Sequence, residues 1–427
     1  MTSSSKPSEI RVRAYQVGFG DCFLLTFHYA SPESDRHILI DFGSTERPEG
    51  APPRSSMFQQ IATDIQTRCG GKLEAVVASH RHADHINGFA FDNEGDSGHI
   101  IRQCSPSRVL QPWTEDPQAP EDPAAASLLN HLRILHRYSW RLRGSELLHL
   151  LGLRTCSEDV LREIRRFSAN NAWTRDDPAN LSAVKNLREM SASPLYLSYG
   201  QPANLDLPGV DIQVLGPPTL QQSLEILKQR ATHPAEFWQL LDAPGSVDAR
   251  TEPLFDSRST RVSEWVPQQV RWLIRRLNVL RGQQVLEMVR VLDDVLNNTS
   301  LILLFVVGDK KLLFPGDAQW ENWSYALKHT DHELLKGATL YKVGHHGSRN
   351  ATPKSLWNLI KGEDLQSVLS TKAGRHGRVK DKTEVPRAAL VAELKKHHFF
   401  STQELGWSDS ADDEPPSEVF TFTPKYK

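Results

Sequence analysis

The stretch His80-Arg81-His82-Ala83-Asp84-His85 decides the reading of this chain, with three imidazoles and a carboxylate close together just after the apolar run Leu73-Glu74-Ala75-Val76-Val77-Ala78. The preceding segment reads as a short strand, and Ile86-Asn87-Gly88-Phe89 as the opening of a helix. The cluster therefore sits in a loop at a strand's exit. A straight strand would send successive side chains to opposite faces, whereas a loop there can converge them on one point. A lone histidine in this place would read as a core or surface residue. Four ligand-type side chains in this order read instead as a hydrolytic metal centre.

Further segments fall into line on either side. Upstream stand Val17-Gly18-Phe19-Gly20-Asp21-Cys22-Phe23-Leu24-Leu25 and Ile38-Leu39-Ile40-Asp41-Phe42-Gly43. Downstream come Asn297-Asn298-Thr299-Ser300-Leu301, then Leu313-Phe314-Pro315-Gly316-Asp317, then Lys342-Val343-Gly344-His345-His346-Gly347-Ser348. The His-x-His-x-Asp-His order resembles the signature of the metallo-β-lactamase fold. The Gly-x-Gly-Asp and His-His-Gly-Ser turns make the chain most similar to the hydrolase domain of the ComEC-type competence proteins and their free-standing relatives. The resemblance implies an α/β fold, the four-layer αββα metallo-β-lactamase sandwich, here a single domain over 1–427 with large helical insertions at about 124–193 and 219–297.

It also implies a ligand set. His80 and His82 would bind one metal, Asp84, His85 and His345 a second, with Asp317 bridging and Asp41 orienting a ligand imidazole rather than touching metal. Asp84, His346 and Ser348 are the catalytic candidates, Ser348 as a phosphate-facing hydroxyl or an ordinary turn serine. Alone, Gly316-Asp317 would read as a turn, and its place between the two histidine motifs is what makes it a ligand. Asp21 reads as a structural residue of its glycine turn. Relatives carry another histidine before the bridging aspartate, but His99, His131, His136, His149 and His233 all lack a strand-end context. The first metal position is thus short of a ligand, and one or two divalent ions are expected. Mixed nitrogen and oxygen donors suit Zn²⁺ or Mn²⁺ better than Ca²⁺.

Hydrolysing a phosphodiester at neutral pH requires a hydroxide and neutralisation of charge on the phosphoryl oxygens, and two metals about 3.5–4 Å apart can supply both. The leading expectation is a metal-dependent phosphodiesterase or nuclease acting on DNA. Hydrolysis of a lactone, thioester or other small ester or amide uses the same chemistry, and a non-catalytic binding or scaffold protein with a degenerate metal site is the third reading.

Composition is that of an ordinary globular protein, with 39% hydrophobic and 24% charged residues. A formal charge of −2 excludes a globally basic nucleic-acid coat but leaves room for a local basic groove. The four cysteines, Cys22, Cys69, Cys104 and Cys156, form no Cys-x-x-Cys pair and suit a reducing compartment. No signal peptide and no membrane-spanning apolar run is evident, so the expectation is cytoplasmic, with no membrane partner and a regulatory protein partner left unspecified.

Segments 10–17, 22–28, 37–41, 107–111, 211–215, 301–307, 311–314, 367–370, 399–402 and 419–422 read as strands, and 57–67, 353–360 and 386–397 as helices. Within the second expected insertion, Val270, Leu273, Ile274 and Leu277 share one helical face, with Arg271 and Arg275 on another. That helix reads either as packed on the body with a solvated charged face or as a substrate-facing lid. Arg375, His376 and Arg378 belong to a glycine-containing basic loop that suits phosphate, or reads as a solvated surface loop. These five residues are the substrate-binding candidates for nucleic acid.

Overall fold

The computed structural model describes residues 6–116, 178–227, 233–238, 296–374, 384–407 and 414–426. Arg271, Arg275, Arg375, His376 and Arg378 lie outside the described residues, as do His131, His136, His149 and most of both expected insertions.

Thirteen strands form two mixed sheets among the described residues. The first runs in the order β13 (Ser417–Phe422), β1 (Glu9–Tyr15), β2 (Cys22–His28), β3 (Arg36–Phe42), β4 (Ala75–Val77), β5 (Arg108–Pro112), β6 (Leu195–Leu197). The second is β12 (His398–Ser401), β11 (Gln366–Leu369), β10 (Leu340–Lys342), β9 (Lys310–Phe314), β8 (Ile302–Val307), β7 (Asp211–Gly216). From β1 to β6 the pairings run antiparallel, antiparallel, then parallel three times. From β7 to β12 the same succession recurs.

Apolar side chains of both sheets meet in one core cluster, where Phe23 packs on Phe314 with ring centroids 5.7 Å apart and Phe27 on Phe305 at 6.3 Å. The other face of the first sheet is covered by helices α1 (Arg54–Arg68), α3 (Ser97–Gln103) and α4 (Pro178–Glu189), with α2 (Ala83–Ile86) being the short turn that carries Asp84 and His85. Met57, Phe58, Ile61 and Ile65 of α1 recur at the three- and four-residue spacing that makes one buried stripe. Helices α5 (Trp320–His329), α6 (His332–Leu335), α7 (Lys354–Ile360) and α8 (Ala388–Leu394) cover the second sheet through Trp323, Leu335, Trp357 and Leu390. Burial of a side chain of this size removes apolar surface worth about 1.5–3 kcal/mol. Ala183 and Leu187 of α4 pack into the core, so this last part of the first expected insertion is a cover of the sheet, not an appendage. No helix among the described residues is long and apolar enough to cross a membrane.

The topology fixes where a site can form. β3, β4 and β5 are parallel neighbours, so their carboxyl ends lie at one edge, and β9, β10 and β11 place their carboxyl ends together in the same way. In open sheets that edge is where loops converge on ligands.

On β3, His37 is buried, with its Nδ1 3.0 Å from Thr26 Oγ1. Burial disfavours the imidazolium and lowers its pKa to about 4, against a partial upward pull from Asp35. A folded-state pKa below the unfolded one gives stability that is intact above the unfolded value and is lost as pH falls towards 4. Melting temperature should fall between pH 7 and pH 4.5 by more in the native chain than in His37→Gln. Parallel curves would show that the imidazole does not contribute.

Candidate metal centre

Asp41, the penultimate residue of β3, has a left-handed φ of 54° and accepts three hydrogen bonds: Ser79 N and Ser79 Oγ each at 2.7 Å, and His85 Nδ1 at 2.8 Å. The bond from His85 places the ring proton on Nδ1 and turns Nε2 inward. Two glycines let the chain pass close enough: a Cβ on Gly20 would sit 2.2 Å from Gly43 O, and one on Gly43 would sit 2.5 Å from His85 N. Asp21 N donates to Asp84 O at 3.0 Å, pinning the Gly-x-Gly-Asp turn to the metal loop.

The second sheet supplies the rest. Asp317 follows β9, its amide donating to Ser300 Oγ at 3.3 Å. His345 and His346 follow β10 with φ of 43° and 49°. Consecutive left-handed non-glycine residues cost of order 1–3 kcal/mol each. Of the five such residues among those described, Asp41, His345 and His346 belong to this site, so the strain concentrates there. His346 Nδ1 donates to Ser370 O at 2.9 Å, which leaves its Nε2 facing inward like that of His85.

Asp84, His85, Asp317 and His346 thus each bring one ligand atom to within 4.8 Å of all the others. His85 Nε2 lies 3.2 Å and His346 Nε2 3.5 Å from Asp317 Oδ2, and His346 Nε2 is 3.2 Å from Asp84 Oδ2. Both Nε2 atoms are buried and neither makes a hydrogen bond. Two buried imidazole nitrogens without hydrogen bonds, set against the Asp84 and Asp317 carboxylates, fit a divalent ion with mixed ligands.

The electrostatics agree with that fit. Burial pushes the Asp317 carboxyl up, but His85, His346, His345 and Lys342 outweigh it and hold the pKa well below the usual range. Burial disfavours the His85 imidazolium, yet Asp317 and Asp41 raise its pKa well above normal, and Asp317 and Asp84 raise that of His346. A dication here competes with protons on the two imidazoles. His80 is held neutral by burial and by its neighbours His85 and His82.

The remaining expected residues are placed as follows. His80 Nε2 is 2.9 Å from His82 Nδ1, and the His80 ring is 4.3 Å from that of His85, but these two histidines do not join the four-residue group. His346, not His345, completes that group. The side chain of His345 is 26% exposed, with Nε2 3.7 Å from Asp317 Oδ2, Nδ1 3.3 Å from Gln319 Nε2, and a pKa lowered by burial to about 4. Ser348 Oγ donates to Asn350 Oδ1 at 3.2 Å. His99 stacks on Phe91 at 4.8 Å, and His233 lies 4.9 Å from the Trp320 ring.

Three contacts escaped the sequence reading. Lys342, buried on β10, is ion-paired with Asp21, lies 3.4 Å from Asp317 Oδ1 and donates to Gly316 O at 3.0 Å. Asp21 itself, expected to be structural, is part of the centre's back wall with Asp41 and His85. Arg81 points away from the ligands and forms a buried two-pronged pair with Glu115 after β5, with Nε to Oε1 at 2.8 Å. A lysine inside the otherwise apolar Leu340-Tyr341-Lys342-Val343 was the available signal for the first.

No family model matches the chain, and no curated protein matches it.

Metal content after extensive dialysis should be nearer one ion per chain than two, since His80 and His82 gather no third ligand among the described residues. Elemental analysis checks this. Two retained ions would require a further ligand, for which His345, with Nε2 3.7 Å from Asp317 Oδ2, is a candidate.

Proposed function

We propose that the chain is a metal-dependent hydrolase of the metallo-β-lactamase fold, a phosphodiesterase or nuclease acting on DNA, similar to the ComEC-type hydrolase domains. The observation that carries the reading is the group Asp84, His85, Asp317 and His346, drawn from both sheets. Support for the four-layer αββα sandwich comes from the core cluster shared by the two sheets and the helices on their outer faces.

The four residues would hold a Zn²⁺ or Mn²⁺ ion, with His80 and His82 beside it. When bound, such an ion acidifies water and offsets charge on the phosphoryl oxygens. Asp41 and Ser370 O keep the His85 and His346 rings turned inward. Asp84, 15% exposed, is the carboxylate nearest solvent and the first that substrate would meet. Arg271, Arg275, Arg375, His376 and Arg378 are proposed to hold the polyanion.

The test is a panel of single-stranded DNA, duplex DNA, RNA and bis-p-nitrophenyl phosphate with added Mn²⁺ or Zn²⁺. Metal-dependent cleavage of DNA and of the small diester is expected. Turnover of a lactone or thioester but of no phosphodiester would transfer the chemistry to small esters, and inactivity throughout would leave a metal-binding scaffold.

A further inference from the structure

The amino-terminal ends of β3, β4 and β5 border a cleft of about 360 Å³, at the opposite edge of the first sheet from the metal turns. Arg36 opens β3, Glu74 precedes β4 and Arg108 opens β5, with Lys72, Ser107 and the 204–206 segment completing the wall.

The charges in this cleft are unevenly matched. Glu74 Oε1 accepts from Asp206 N at 3.2 Å, and both carboxylates face Arg36, Glu74 at 4.0 Å and Asp206 at 3.7 Å. Arg36 Nε is nevertheless buried with no hydrogen-bond partner. Arg36 Nη1 donates to Ser34 O at 2.7 Å and to Asp35 O at 3.3 Å, whereas Lys72 and Arg108 form no ion pair among the described residues and line the same space. Three cations face two carboxylates, an excess of one positive charge that favours an anion, and the Arg108 guanidinium matches phosphate geometry. Beside them, Ser107, Asn204 and Asp206 offer hydroxyl, amide and carboxylate groups suited to sugar hydroxyls. None of the lining residues is aromatic, so nothing there would stack on a base. The volume lies at the small end of ligand pockets.

We infer that this cleft is a binding site for a small phosphorylated polyhydroxy compound, of sugar-phosphate size, with Lys72 and Arg108 taking the phosphate and Asp206 and Asn204 the hydroxyls. The site is separate from the metal centre and does not depend on the reading of that centre.

The test is calorimetric titration of the full chain with ribose 5-phosphate, inorganic phosphate and ribose. A chelator is present throughout, so that phosphate cannot report on a metal. Ribose 5-phosphate should bind, inorganic phosphate more weakly, and ribose not at all. Loss of two charge-assisted contacts in Lys72→Gln/Arg108→Gln should weaken binding about a hundredfold. The single variant Lys72→Gln, at an exposed position, should weaken it about tenfold. Asp206→Asn should weaken ribose 5-phosphate and leave inorganic phosphate unchanged. No binding of ribose 5-phosphate at about 10 mM, undiminished binding by Lys72→Gln, or equal affinity for phosphate alone would each overturn the assignment.

Discussion

Asp317→Asn is expected to lower the proposed hydrolysis by about a thousandfold or more while the far-ultraviolet circular dichroism stays that of the native chain. The size follows from where the carboxylate lies: Oδ2 is within 3.7 Å of the His85, His345 and His346 Nε2 atoms together, so it is the oxygen the three imidazoles share. An amide offers a weaker oxygen and no charge, and several kcal/mol of metal-borne stabilisation corresponds to that factor in rate. The fold survives because the apolar clusters do not draw on this side chain. Asp84→Ala should behave alike, since Asp84 faces His346 from the first sheet. Metal content should fall in parallel in both variants. Native turnover by either purified variant with metal present would remove these residues from the reaction.

Lys342→Met should destabilise the chelator-treated protein by about 3–5 kcal/mol, the range for stripping one partner from a buried ion pair. Burial opposes the Lys342 charge, yet Asp21 and Asp317 raise its pKa, which places a permanent cation between those carboxylates. Without it, both are left buried and less compensated. A dication binds the folded state alone and returns positive charge to Asp317, so saturating Mn²⁺ or Zn²⁺ should narrow the gap between native and variant. Denaturant unfolding with and without metal measures this. An equal loss in both conditions would make Lys342 a packing residue only, and Lys342→Arg should recover part of the stability if charge is what matters.

The sequence was readable wherever local pattern and burial coincide. Strand 22–28 is fully apolar but for Thr26 and His28 and forms β2 over those residues, and the 301–314 hairpin forms around Gly308. Asp41, Asp84, His85 and Asp317 were named through the family resemblance of their motifs, each of which stands at the end of a strand or just after it. What could not be read depends on distance in three dimensions. The choice between His345 and His346 turns on two left-handed dihedrals and on a carbonyl, Ser370 O, just past the end of β11. Lys342 and Asp21 are distant in sequence and meet only when the sheets close. The helix 178–189 lay within an arginine-rich stretch and read as part of an insertion, although Ala183 and Leu187 belong to the core.

The same succession of strand pairings in the two sheets has a mechanical consequence. Asp84 and His85 hang from the first sheet, and Asp317 and His346 from the second, so an ion held by all four would act as a rivet across the seam between two similarly built halves. Any shearing of one half past the other must stretch those ligand bonds first. Cohesion and the proposed chemistry would then draw on the same four side chains, and a chelator that strips out the ion would also slacken the joint.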